Sequence, residues 1–307
     1  MATLGRRQTL STVHGRRRRA GGPGQHWACS CSTRRASSPS KRSTDGIIGA
    51  VSPPDFSRIV WADRGFRLGD LHFRTQTYLQ DIERAEAVDG RHFLIYKNAA
   101  LIEEFAEFWA GAPAFLPRRI VELGVWSGGS AVLWAELLRP DKLVAVDVAP
   151  EDRMGEDHLG NLRGYLRDRK LETGLKFYWR VDQTDGPALR DIVRSELEGV
   201  IDLVIDDASH AYSHTKRAFE LLFPFIRPSG WYAIEDWSWD LGLGSEHPEE
   251  LRSAPPLSPL VLELVRLAGS DPGIVRRVRI GHGIAFVERG AAPLDEGFTI
   301  ESRLPRR

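Results

Sequence analysis

Two short apolar runs in the second half of the chain end in acid pairs. Residues 201–205 run into Asp206 and Asp207, with His210 three residues further on, and residues 231–234 run into Glu235 and Asp236. Two neighbouring buried strands that stop there would bring four carboxylates and one imidazole to one edge of a sheet. So many like charges repel one another unless a cation is present or one carboxyl keeps its proton. Oxygen donors select a hard ion such as Mg²⁺ over zinc. The chemistry these residue types suit is that of a metal-dependent enzyme.

A second constellation lies upstream. Residues 120–130 read IVELGVWSGGS, the pattern of a strand, a glycine-rich turn and a helix start. Glycines let a backbone approach a ligand closely, and a helix N-terminus offers free N–H groups. Bulky Trp126 stands where a dinucleotide fingerprint has its second glycine, which argues against a pyrophosphate on this turn. At the next two strand ends, Asp147 suits hydrogen bonding to ribose hydroxyls and Asp182 could accept from an adenine amino group. Each acid alone reads as a helix cap or a solvated turn. Their placement at successive strand ends reverses that preference, because ligands of open α/β sheets bind at the carboxyl ends of the strands.

The elements that must position these residues alternate regularly. Strands are expected at 120–123, 143–147, 176–181, 203–205 and 232–234, with helices at 130–138, 162–171, 188–197 and 215–223 between them. This is the βαβ pattern of a mainly parallel, doubly wound sheet with helices on both faces. Upstream, apolar residues at helical spacing predict a helix over 98–109, and 79–87 suits a short one. Downstream, a helix over 259–267 precedes two strands, 275–280 and 284–288. These flank Gly281-His282-Gly283, so the last strand should run antiparallel.

The 307 residues carry no net charge, but the neutrality is misleading. Residues 1–44 hold ten basic residues and no acid, leaving 32 basic against 42 acidic residues, a net −10, in the remainder. That basic leader is too poor in apolar residues to fold alone and is expected to be disordered. Its Arg- and Ser-rich composition also matches an organelle transit peptide. A solvated tail is preferred over a nucleic-acid-binding arm. Both cysteines, Cys29 and Cys31, lie in the leader, so the body needs neither disulfides nor a thiol nucleophile, and a cytoplasmic setting fits. No apolar run is long enough to span a membrane.

Together, E-L-G-x-x-x-G-G-S at 122–130, Asp147, D-Q-x-D at 182–185, D-D-x-S-H at 206–210, L-F-P-x-x-x-P-x-G at 222–230 and I-E-D at 234–236 resemble class I S-adenosylmethionine-dependent methyltransferases. More narrowly, they are similar to the Mg²⁺-dependent macrolide-sugar O-methyltransferases of the mycinamicin type and to the cephalosporin hydroxylase/rhamnosyl O-methyltransferase group. The resemblance covers about residues 90–290 and departs from the family at Ser229, where a glycine is usual. It implies a Rossmann-like seven-stranded sheet, and S-adenosylmethionine and Mg²⁺ as cofactors. It also implies Asp207, Glu235 and Asp236 as metal ligands and His210 as general base. Glu122, Gly124, Ser130, Asp147, Asp182, Gln183 and Asp206 would line the cofactor. Asp206 is open between cofactor and metal, with the cofactor preferred. His214, four residues after His210, would share a helix face with it, but the many acids and absent cysteines disfavour zinc.

The acceptor is expected to be a sugar-like hydroxyl compound, with neither membrane nor nucleic acid as partner and self-association left open. The alternatives are a nicotinamide oxidoreductase and a non-catalytic nucleotide-binding protein of the same fold. The expected organisation is a leader over 1–45, a helical, substrate-side extension over 46–117, the methyltransferase domain over 118–290 and a tail over 291–307.

Overall fold

Residues 119–206 build the middle of the molecule by repeating strand, turn and helix. The strands β5 (Arg119–Leu123), β6 (Lys142–Asp147), β7 (Leu175–Trp179), β8 (Ile201–Asp206) and β9 (Ile226–Glu235) run parallel, and β5, β6 and β8 have almost every residue buried. Burial on both faces is why these strands read as continuous apolar runs rather than alternating ones. The last two strands, β10 (Val275–Ile280) and β11 (Ile284–Arg289), form the expected hairpin, and β11 lies antiparallel to β9. The seven-stranded order is β10-β11-β9-β8-β5-β6-β7, so the direction of winding reverses between β5 and β8. A crevice for ligand opens at such a switch point.

The computed structural model describes residues 52–76, 83–242 and 255–304, all within one compact unit. The expected leader over 1–45 lies outside the described residues. Helices cover both faces of the sheet. On one face α1 (Ala99–Ala110), α2 (Gly129–Leu138) and α3 (Glu156–Arg169) pack over Ile120, Leu203, Ile205 and Ala233. On the other α4 (Gly186–Leu197), α5 (Tyr212–Leu222) and α6 (Ser258–Ser270) pack over Val121, Val204, Tyr232 and Ile234. Because side chains alternate along a strand, Glu122 and Glu235 share the α1 face, whereas Asp206 belongs to the α5 face.

Four expectations need correction. The segment over 46–117 is not chiefly helical. It forms a four-stranded sheet, β1 (Ile59–Ala62), β2 (Gly65–Leu68), β3 (Leu71–Thr75) and β4 (His92–Ile95), before α1. Short strands of three or four clear positions, two of them rich in Arg and His, hide their period-two signal. Of the helix expected over 79–87, residues 79–82 lie outside the described residues and 83–87 are not helical. The stretch over 291–304 is no loose tail, since Phe298 and Ile300 are buried in the α5 side of the core and Ile300 N–H donates to Glu220. The helix expected from 162 begins six residues earlier, at Glu156, in a polar first turn that carries no apolar period.

Among the described residues no helix is long and apolar enough to cross a membrane.

Candidate active site

The carboxyl ends of β8 and β9 place their acids side by side. Asp207, His210 and Asp236 each present a ligand atom, and these atoms lie within 4.8 Å of one another. His210 Nε2 is 3.7 Å from Asp207 Oδ1 and 3.9 Å from Asp236 Oδ2. His210 (φ 50°) and Asp236 (φ 51°) both adopt left-handed backbone conformations. Such strain persists where surrounding contacts enforce it. Here Trp239 Nε1 donates to the His210 carbonyl, and Trp237 Nε1 donates to Gly281 O across the hairpin. The helix α5 starts only at Tyr212, so His210 and His214 do not share a helix face.

Glu235 stands slightly apart, fully buried, and its partner was invisible in the sequence. Lys97 Nζ donates to Glu235 Oε2 at 2.5 Å and to Asp207 Oδ2 at 2.7 Å. Lys97 itself is buried. Burial alone would strip its proton, but the Asp207, Glu235 and Glu122 carboxylates outweigh burial and raise its pKa. Burial and the Asp207 charge push Glu235 upward while Lys97 pulls it back, and the short contact is that of ammonium on carboxylate. Burial also raises Asp236, against the pull of His210. No sequence motif marks Lys97. It is a single lysine between β4 and Asn98, whose side chain caps α1 by accepting from Leu101 N–H.

The residues expected to line a cofactor behave differently. Asp147 spends both oxygens on its own backbone: Oδ2 accepts from Val125 and Trp126 N–H and Oδ1 from Ala149 N–H. That brace holds the glycine turn and keeps Trp126 at φ 49°. Asp182 accepts from the N–H and hydroxyl of Thr184, which lowers its pKa. Gln183 Oε1 accepts from Ser209 N–H, and its buried Nε2 has no partner. Glu122 is fully buried on the α1 face with Ser130 nearby at the start of α2, and burial pushes it up to about 7, against the pull of Lys97. Asp206, read as facing cofactor or metal, stands outside the acid cluster. Strand alternation turns it to the α5 face, where Tyr232 OH donates to it at 2.6 Å and burial pushes it up to about 6.

The glycines of the first turn serve the chain's own packing. A Cβ on Gly124 would fall on the main-chain carbonyl of Asp207, and one on Gly129 would fall on that of Leu94. Gly124 thereby lets the β5 turn touch the β8 end that carries the acid cluster. Below it a narrow crevice of about 40 Å³ is lined by Tyr96, Lys97, Trp126, Ser130 and Asp207. Tyr96 and Trp126 meet edge to face over it, with centroids 5.9 Å apart. On the other side of the cluster opens a cleft of about 700 Å³ lined by Tyr96, Glu104, Asp236, Trp237, Trp239 and His282 among others. That is within the size range of small-molecule sites, roughly 300–1,000 Å³. Glu104 fixes one wall by accepting from Gly283 and Ile284 N–H.

Comparison with known proteins agrees with this architecture. The family model described as "Methyltransferase domain" matches residues 121–237. Mycinamicin VI 2''-O-methyltransferase of Micromonospora griseorubida is 29% identical over 291 residues, covering 87% of this chain and 60% of its own length. The 8-demethyl-8-alpha-L-rhamnosyl tetracenomycin-C 2'-O-methyltransferase of Streptomyces olivaceus is 33% identical over 146 residues, 45% of this chain and 32% of its own. Among solved structures, the MycE methyltransferase of the mycinamycin pathway, in complex with Mg and SAH, aligns with a TM-score of 0.43 at 25% identity, over 64% of this chain and 51% of that one. This chain thus spans less than two thirds of the length of these relatives. The strand order is that of the class I methyltransferase fold, residues 121–237 match a methyltransferase domain, and the chain is distantly similar to macrolide- and rhamnosyl-sugar O-methyltransferases.

Proposed function

We propose that the chain is an S-adenosylmethionine-dependent O-methyltransferase that uses Mg²⁺ and acts on a sugar hydroxyl of a natural product. The observation that carries this reading is the convergence of Asp207, His210 and Asp236 at the mouth of a roomy cleft beside the switch-point crevice. The donor set suits a hard divalent ion, with oxygens from Asp207 and Asp236 and the buried, unpartnered Oε1 of Glu235. Asp207, Glu235 and Asp236 would hold that ion, which when bound lowers the pKa of an acceptor hydroxyl and fixes its position.

The remaining steps fall to the chain's own side chains. Tyr96, Trp237 and Trp239 wall the cleft with aromatic surface on which a sugar face can lie. Gly124 and Ser130 line the crevice, where the sulfonium would sit, and Asp147, Asp182 and Gln183 at the neighbouring strand ends would meet the rest of the cofactor, with the orphaned Gln183 Nε2 as a donor. S-adenosylmethionine, when bound, would supply the methyl group, passing it to the acceptor oxygen as its C–S bond breaks and S-adenosylhomocysteine is released. His210 Nε2 takes the hydroxyl proton, held in place for it between Asp207 and Asp236.

One observation favours a second role for His210. It belongs to the same cluster within 4.8 Å as the two aspartates, so it could serve as a metal ligand instead of a base. The experiment that tests the function is incubation with S-adenosylmethionine and a panel of macrolide and rhamnosyl glycosides, followed by mass spectrometry with and without EDTA. A singly methylated glycoside formed only without EDTA is the expected result. Methylation undiminished by EDTA would remove the metal, and binding of NAD in place of S-adenosylhomocysteine would remove the methyltransferase reading.

A further inference from the structure

We propose that Lys97 is a built-in positive charge that matches the acid cluster to a divalent ion and discriminates against other charges. The proposal rests on the cation reading of that cluster given above.

Lys97 touches two of the three acids and uses one oxygen of each. Its ammonium takes Oδ2 of Asp207 and Oε2 of Glu235. The other oxygens stay free for a ligand: Asp207 Oδ1 faces His210, and buried Glu235 Oε1 has no hydrogen-bond partner. The ammonium is not a mobile surface charge. Its side chain is 1% exposed, and it hangs from the short link between β4 and the Asn98 cap of α1. Its other side meets the ring of Trp134, 6.0 Å to the centroid.

The formal charges then balance. With Glu122 holding its proton and His210 uncharged, three carboxylates, Asp207, Glu235 and Asp236, set against one ammonium leave two negative charges. One divalent ion would neutralise them. Burying uncompensated charge is costly, so a partly buried site favours the loaded state that comes closest to neutrality. A monovalent ion would leave a negative charge behind, and a trivalent one would leave a positive charge. The bland alternative is that Lys97 only ties β4 to the ends of β8 and β9. That role predicts loss of stability on substitution but no change in charge preference.

Calcium and terbium ions distinguish the two roles, because they have similar radii and differ by one charge. Geometric disturbance of the ligands weakens both ions alike and cancels in the ratio of their affinities. Terbium luminescence, sensitised by the cleft tryptophans, would report binding, with calcium read by displacement from the full-length protein. Lys97→Met should raise the terbium-to-calcium affinity ratio at least about tenfold, since the lost ammonium repelled the trivalent ion by one further unit of charge. Glu235→Gln should lower the ratio by a similar factor. The double variant Lys97→Met/Glu235→Gln restores the formal charge, so its ratio should return close to that of the parent. If Lys97→Met does not fold, Glu235→Gln and the double variant decide the matter. A parent that binds calcium while the single variants keep its ratio would overturn the charge-matching role and leave the cation site standing. A parent that binds neither ion would overturn the cation reading itself, and this inference with it.

Discussion

The two sides of the switch point carry the same kind of residue and treat it in opposite ways. At the ends of β6 and β7, Asp147 has both oxygens taken up by backbone N–H groups, and Asp182 has Oδ1 taken up by the N–H and hydroxyl of Thr184. At the ends of β8 and β9, Asp207 and Asp236 face one another with Glu235 buried beside them, and the neighbouring positive charge comes from Lys97 and, when protonated, His210. The first arrangement is that of acids shaping a turn, available to a cofactor only as shared acceptors. The second stores repulsion, which natural chains keep where a ligand relieves it. An acid at a strand end is therefore no evidence of a role by itself. What counts is whether its oxygens are already spent.

The largest expected effect comes from the side with unspent oxygens. Asp207→Asn or Asp236→Asn should abolish methyl transfer and cation binding while S-adenosylhomocysteine affinity, measured by calorimetry, stays within a few-fold of the parent. Loss of cofactor binding in these variants would show that the two sides are one site and dissolve the contrast. His210→Gln comes next. As loss of a general base it should lower the rate on the order of 10²–10⁴-fold with cation affinity intact. If cation affinity falls along with the rate, His210 is a ligand instead.

A smaller effect separates the two sides by stability. Asp147→Ala leaves the N–H groups of Val125, Trp126 and Ala149 without their acceptor and should cost about 1–3 kcal/mol in chemical denaturation. Asp236→Ala, measured in EDTA, should instead raise the melting temperature, because it removes a carboxylate crowded by Asp207. Equal destabilisation by both substitutions would mean that the acid cluster is as self-satisfied as the turn.

The sequence made one side of this contrast easier to read than the other. The acid pairs at 206–207 and 235–236 were legible because each closes an apolar run, and a parallel sheet must bring such ends together. The parallel direction of β5 to β9 followed from the same alternation of strand and helix, and the antiparallel end from the Gly281-His282-Gly283 turn. Lys97 was not legible: the strand before it, β4, is four residues long and pairs with β3 across sixteen intervening residues, so nothing local marks the lysine. That Asp206 and Asp207 part company follows from strand alternation, but which of the two faces α1 depends on how β8 is set against the helices. Glycines in such a turn suit close approach of a ligand, but at Gly124 and Gly129 the room is filled by the carbonyls of Asp207 and Leu94.

The smallest expected effect tests whether Glu122 belongs with the charged cluster or outside it. Its folded pKa is raised by burial to about 7 from an ordinary 4.5, with Lys97 pulling the other way. Between those two values the folded chain holds a proton that the unfolded chain has released. Its contribution to stability is therefore fully present below pH 4.5 and is lost as pH rises through about 7. A glutamine at this position does not titrate. The stability of Glu122→Gln relative to the parent should thus shift in the variant's favour by on the order of 2 kcal/mol between those limits, as read from denaturant titrations at several pH values. Other titrating groups, Asp206 among them, are common to both proteins and cancel in the difference. A difference that stays flat with pH would mean that Glu122 is ionised throughout, paired electrostatically with Lys97. The cluster would then carry a fourth carboxylate, and Lys97 alone would no longer bring it to the charge of one divalent ion.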